Sequence, residues 1–487
     1  MPHLEDISGW ITEKLPGLLA EYKVPGAAIA VYAGGEVFDF AAGVLSHATG
    51  VEATTDSVFQ IGSITKTWTA TMVMQLADEG LLDIDQTVVT YLPDFDLADH
   101  GAAAAMTVRQ LLCHTAGFEG DIFTDTGNND DCVEKYVATL ATDPQLFPPG
   151  EMFSYNNAGY CVLGRIVEVL RAKPFDQALR EHLFAPLGLT HAATDAASAI
   201  LYRAAVGHLP NPEDPGGPPV PAPVYALAKS NSPAGAMLAM RPRDLIAFAA
   251  MHLNKGVAAD GTRVLSEASA AAMQAVQVTL PPLGLMGDHW GLSWELFDLA
   301  GDVSPGGATA LQHGGHLPPI LPGRTPRMYG HDGGTIGQNA FLRLVPGANV
   351  AIALLTNGGN PIGLYFDVYG HLLKELAGIE IPAHPLPPAE PRQIDASRYT
   401  GTYANSVGKS EITQDEDGRI WMTDTPLGII AELVGEVERT ELVHLEGDTL
   451  IPVEPKYGIH LPQVFIGDDG SGRALFIHTG RAMRRAS

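Results

Sequence analysis

A mixed α/β architecture is what this sequence predicts: a long layered unit whose sheet is drawn from both of its ends, followed by a small antiparallel β-barrel. Three observations predict it. Apolar hairpin patterns stand near residues 26–43 and again near 339–355, and helical periodicity fills the span between them. Beyond a proline-rich stretch, the pattern changes to short alternating runs.

At the N-terminal end, residues 5–22 space Ile7, Trp10, Ile11, Leu15, Leu18 and Leu19 as one face of a helix. Residues 26–33 then read as a small-residue apolar strand, turned at Gly34-Gly35 into a second strand over 36–43. The later hairpin pairs 339–345 with 349–355 around Pro346-Gly347, and helices are expected over 67–79 and 159–170. Two Pro/Gly-rich stretches, 210–223 and 301–330, read as long loops, the second as a candidate pocket wall. Residues 382–391 hold five prolines and read as a stiff linker that lets its flanking units fold separately. The expected division is 1–381, linker 382–391 and barrel 392–487. The barrel strands are expected near 399–403, 411–414, 420–423, 429–434, 441–445, 464–466 and 474–478.

Bulk composition narrows the function. A chain of 487 residues exceeds one ordinary core, and 46% hydrophobic with 17% charged residues suits a packed globular protein. The net charge of −27 argues against nucleic acid and anionic membrane surfaces as partners. Cys113, Cys132 and Cys161 lack metal-ligand spacing and read as reduced, buried thiols. No basic segment leads into an apolar run at the N-terminus, and no stretch reaches the ~18 apolar residues of a membrane span, so a cytoplasmic protein is expected.

The chemistry begins at Gly62-Ser63-Ile-Thr-Lys66-Thr67. Ser63 at a helix start places Lys66 at i+3, on the same face and within reach. The helix N-terminus favours an anion nearby and is expected to lower the lysine pKa, freeing a base for the serine. An N-capping serine followed by a surface lysine would look the same, but two further motifs follow in order. Tyr155-Asn156-Asn157 sits at a helix entry and projects a phenol and a carboxamide together. His331-Asp332-Gly333-Gly334 leads into a strand, its glycines allowing a substrate backbone to lie close. His313 and His316 lack a third ligand and read as loop residues, so neither a metal nor a cofactor is expected. His114 reads as structural, and Asp94, Asp96 and Asp99 as solvated loop acids.

These three motifs resemble those of the penicillin-binding-protein and serine β-lactamase-like superfamily, in the class C β-lactamase, D-aminopeptidase and esterase group. His331 stands where that family often has lysine. The phrases Thr107–Gly117 and Pro233-Ala-Gly235 add to the likeness, which spans about residues 5–378. The resemblance implies a β-lactamase-like sheet with helices around it and a lipocalin-like C-terminal barrel. It makes Ser63 the nucleophile, Lys66 and Tyr155 its proton carriers, and His331 a partner of Tyr155 or of a substrate carboxylate. The backbone N–H groups of Ser63 and Gly334, beside Gly333, would form the oxyanion hole, and Asn157 would hold the acyl-side amide. The stretches 118–127 and 130–136 look most like stand-alone thioesterases that cyclise nonribosomal peptides. That implies a peptidyl or acyl small-molecule substrate ending in a D-residue, delivered by a peptidyl carrier protein. A cytoplasmic carboxylesterase, D-amino-acid peptidase or β-lactamase-like hydrolase is the alternative, and an acylated sensor or scaffold is the alternative of another class.

Overall fold

The computed structural model describes residues 4–214, 216–298, 328–428, 431 and 437–486. Helix α1 (Leu4–Glu21) leads into the hairpin of β1 (Gly26–Ala33) and β2 (Glu36–Gly43). Three helices of the intervening span matter most: α2 (Thr65–Asp78), α3 (Asn157–Arg171) and α4 (Pro242–Leu253). The chain then returns to the sheet through β3 (Val278–Thr279), β4 (His289–Trp290), β5 (Glu295–Phe297), β6 (Met328–Gly334), β7 (Asn339–Val345) and β8 (Val350–Thr356). Helix α5 (Pro361–Ala377) follows, capped by Asn360, whose side chain accepts from Gly363 N.

The sheet order is β2-β1-β8-β7-β6-β5-β4-β3. Strand β1 lies antiparallel to β8, with Ala27 opposite Thr356 and Ala33 opposite Val350, so the two ends of the unit are joined at its middle. Alternation along the strands explains the layers. Ala27, Ile29 and Val31 face α1 and α5, packing with Ile11, Leu15, Ile352, Leu354, Val368 and Leu372. Ala28, Ala30, Ala351 and Ala353 face the other way, where Trp68, Phe248 and Tyr160 form part of the larger core. Because both faces are covered, β1 and β8 read as continuous apolar runs rather than alternating ones.

The C-terminal unit is a closed antiparallel barrel of β9 (Gly401–Ala404), β10 (Gly408–Gln414), β11 (Ile420–Pro426), β12 (Glu438–Glu446), β13 (Thr449–Pro452), β14 (Gln463–Ile466), β15 (Phe476–His478) and β16 (Ala482–Arg485). Tyr403, Ile412, Met422, Leu442, Leu450, Phe465 and Ile477 fill it. Sequence patterning missed β13 and β16. Each has only four residues, and β16 carries Arg484 and Arg485, which hide its alternation. The strand expected over 429–434 falls almost wholly outside the described residues, as do His313, His316 and the 301–330 loop up to 327. Residues 328–330 are not loop but the start of β6.

The barrel does not stand apart. Val464 and Ile466 of β14 pack with Phe153, Tyr155, Leu280 and Leu283 of the first unit. Phe476 and Ala482 pack with Phe147 and Met152. Apolar surface thus joins the barrel to the first unit beyond the proline-rich segment. Among the described residues, no helix is long and apolar enough to cross a membrane.

Candidate active site

Ser63 lies in a single 3-10 turn, Gly62–Ile64, which runs directly into α2. Lys66 is wholly buried. Its Nζ donates to Ser63 Oγ over 3.0 Å and to the Ala234 carbonyl over 2.6 Å. The same Nζ sits 4.9 Å from the Tyr155 ring centre and 5.7 Å from that of Tyr160. Burial pushes the ammonium down to about 7, Arg481 acts in the same direction, and Cys161 and Asp121 oppose it. Desolvation thus supplies the depression that the sequence reading attributed to the helix N-terminus.

Backbone meets backbone beside the serine. A Cβ on Gly62 would stand 2.7 Å from Gly334 N, one on Gly333 would stand 3.1 Å from Ser63 N, and one on Gly235 would stand 2.9 Å from Ser63 N. Only glycine admits this approach. Thr335 N donates to Gln338 O across the β6–β7 turn. In an antiparallel ladder the next pair, Gly334 with Asn339, is then a non-hydrogen-bonded one, so the Gly334 N–H faces away from β7. Ser63 N and Gly334 N are thereby brought together where an oxyanion would need them.

Tyr155 is 5% exposed and is positioned from three sides. His114 stacks on its ring at 4.3 Å, and Trp290 meets it edge-on at 5.8 Å. The barrel supplies the third side. Tyr155 N donates to Gly480 O over 2.9 Å, Ala482 N donates to Ser154 Oγ over 3.0 Å, and His478 Nε2 donates to Phe153 O over 2.7 Å. The Arg481 guanidinium lies 4.9 Å from the Tyr155 ring centre, the same distance as Lys66. Burial raises the phenol well above its usual range, opposed by a hydrogen bond with Ser63 and by the charge of Arg481. Tyr155 is therefore a neutral phenol between the partly neutral Lys66 amine and the Arg481 guanidinium.

His331 is 1% exposed, with its ring 6.3 Å from Tyr155 and 5.5 Å from Trp290. Its Nδ1 donates to the Asp332 carbonyl over 2.6 Å, which fixes the tautomer and leaves Nε2 an acceptor, buried and without a hydrogen-bond partner. Burial, helped by Lys66, pushes its pKa down to about 3. The ring is neutral at pH 7, so it offers a substrate carboxylate no charge. Behind it lie Glu295, 3.9 Å from Nδ1, and Arg343, which forks onto the Asp332 carboxylate at 2.6 and 2.9 Å. Burial raises the Glu295 carboxyl.

Asn156 is the N-cap of α3, its side chain accepting from Gly159 N over 2.6 Å. Asn157, one residue on, is free of that duty, and its Nδ2 donates to Asp121 Oδ1 over 2.6 Å. The structure thus brings together Ser63, Lys66, Tyr155, Gly333 and Gly334, with His331 behind Tyr155 and Asn157 at the α3 entry. Sequence reasoning missed Asp121, Arg481 and the packing of His114 against Tyr155. Nothing local in the sequence ties Arg481 to a serine in another unit.

A hydroxyl beside a partly neutral amine, with two converging N–H groups, can attack an acyl carbonyl and hold the resulting oxyanion. Comparison with known proteins agrees. Residues 11–373 match the beta-lactamase family. The chain is 44% identical over 398 residues to Penicillin-binding protein 4 of Amycolatopsis lactamdurans, covering 81% of this chain and 97% of that one. This chain belongs to the beta-lactamase/penicillin-binding-protein family. It is a serine hydrolase of that fold. Among solved structures it is similar to SurE, with 27% identity and a TM-score of 0.74 over 99% of this chain and 98% of that one. A structure of SurE with D-Leu gives a TM-score of 0.71 at 27% identity, covering 99% of this chain and all of that one.

Proposed function

We propose that this protein is a penicillin-binding-protein-type thioesterase that takes peptidyl thioesters ending in a D-residue and closes them into rings. The observation that carries the reading is likeness to SurE over the whole chain, barrel included, together with the D-Leu complex of that protein. The substrate arrives as a thioester on a peptidyl carrier protein.

The residues perform the steps as follows. Neutral Lys66 takes the Ser63 proton as Oγ attacks the thioester carbonyl, and the carbonyl electron pair moves onto oxygen, held by Ser63 N–H and Gly334 N–H. Collapse expels the thiolate, which takes the Tyr155 proton, and Lys66 returns its proton to Tyr155. The peptide is now an ester on Ser63. Its own N-terminal amine attacks, gives a proton to Lys66, and releases the ring as Ser63 recovers its hydrogen. Tethering raises the effective concentration of that amine over water.

A linear peptide thioester ending in a D-residue should give mainly cyclic product by liquid chromatography and mass spectrometry, and its L-terminal twin should react poorly. Equal hydrolysis of both would overturn cyclisation. It would favour a hydrolase reading, which the 44% identity to a protein named for penicillin binding supports. Incubation with penicillin, read by intact mass, then decides that second reading.

A further inference from the structure

The stretch 118–127 lies beside the site and includes one residue that the acyl-transfer steps leave unused, Asp121. It is only 7% exposed, yet it is the meeting point of both units. A Cβ at Gly120 would fall 2.7 Å from Asn156 Cα, so glycine there lets the segment press against the start of α3. Gly120 O accepts from Ala158 N over 2.9 Å, which pins the two segments. From the barrel side, Ser406 N donates to Glu119 Oε2 over 3.1 Å and Ser406 Oγ to Asp121 O over 3.0 Å. The Asp121 carboxylate then accepts from Asn157 Nδ2 through Oδ1 and from Arg481 Nε through Oδ2.

An ionised carboxylate only accepts hydrogen bonds, so the end of the Asn157 amide that faces it must be the NH2. Arg481 holds the other carboxylate oxygen, Oδ2, so that Oδ1 is left to face the amide. We propose that Asp121 is a positioning residue that locks the Asn157 amide in one of its two flipped orientations, and that this lock sets recognition of the amide on the acyl group. The inference rests on the reading of Asn157 as the holder of that amide.

Two activated esters test it. The 4-nitrophenyl ester of N-acetyl-D-alanine carries the amide; 4-nitrophenyl acetate does not. Both are assayed at pH 9, where Lys66 is neutral. Asp121→Asn permits both flips. It should raise KM for the amide-bearing ester about tenfold or more, with its kcat and the acetate reaction within about twofold of wild type. Asn157→Ala should remove the preference for the amide-bearing ester. Equal loss on both esters would mark Asp121 as merely structural and overturn the proposal, and so would no change on either. Should the asparagine variant fail to fold, Asp121→Glu decides. It retains a charge for Arg481 but displaces the acceptor, so a KM rise confined to the amide-bearing ester supports the lock. A wild type without amide preference overturns it as well. Because the esters need no thioesterase activity, failure on peptide thioesters would leave this result standing and sink only the function proposed above.

Discussion

The two halves of the active site are built in opposite ways. The Ser63–Lys66 half is local: the proposed nucleophile and base sit three residues apart where a 3-10 turn meets α2, and the lysine is anchored at both Ser63 Oγ and Ala234 O. The Tyr155 half is remote. Its backbone, its neighbour Ser154 and the face of its ring are all held by the last hairpin of the barrel. Geometry set by four consecutive residues survives changes elsewhere. Geometry set by a distant hairpin depends on the docking of a second unit, and the apolar contacts of Val464 and Phe476 are what provide that docking.

The largest effect should come from the local half. Ser63→Ala is expected to abolish covalent labelling by a fluorophosphonate probe, with the protein still folded, as intact-mass measurement will show; an adduct on another residue would break the assignment. Lys66→Ala should slow labelling by ~10²–10⁴, the usual loss for a general base. Next comes the remote half. A chain cut to residues 1–381 uncovers Phe147, Met152, Phe153 and Leu283 and deprives Tyr155 N of its acceptor at Gly480. Aggregation is expected, or labelling slowed by at least about tenfold. Wild-type labelling of a soluble 1–381 chain would show that the halves are independent after all.

The smallest effect sharpens the comparison by joining the halves electrostatically. Lys66 acts as base only when neutral, and its pKa is about 7, so acylation should rise through about pH 7 and level off above it. Arg481 depresses that pKa. Arg481→Gln removes a like charge and stabilises the ammonium, so the midpoint should move to higher pH; Asp121→Asn removes the opposite charge and should move it lower. The pH–rate profile of acetate ester hydrolysis reads both shifts, and an unmoved midpoint in Arg481→Gln would mean that the barrel does not act on the base.

What could be read from the sequence follows the same division. Helices α1, α2 and α3 and strands β1, β2, β7 and β8 were legible, because each declares itself by local periodicity. Ser63 and Lys66 were legible because their relation is a helical spacing, and Tyr155 and His331 because their motifs follow in family order. The cause of the lysine's depressed pKa was not, since burial is a property of the packed core. Asp121 and Arg481 were not legible either: 360 positions separate them, and no spacing rule spans such a gap. The docked barrel was hidden by the prolines before it, which describe the stiffness of a tether and say nothing of the surfaces at its ends.

The hairpin that clamps Tyr155 also bears on how the protein comes into being. Synthesis proceeds at roughly 5–20 residues per second, so Arg481 emerges about 20–70 s after Asp121, the residue 360 positions earlier that it will pair with. Through that interval Tyr155 N lacks its acceptor at Gly480 O, and Ser154 Oγ lacks its donor at Ala482 N. A newborn chain thus carries Ser63 and Lys66 long before it carries the hairpin that holds Tyr155 in place.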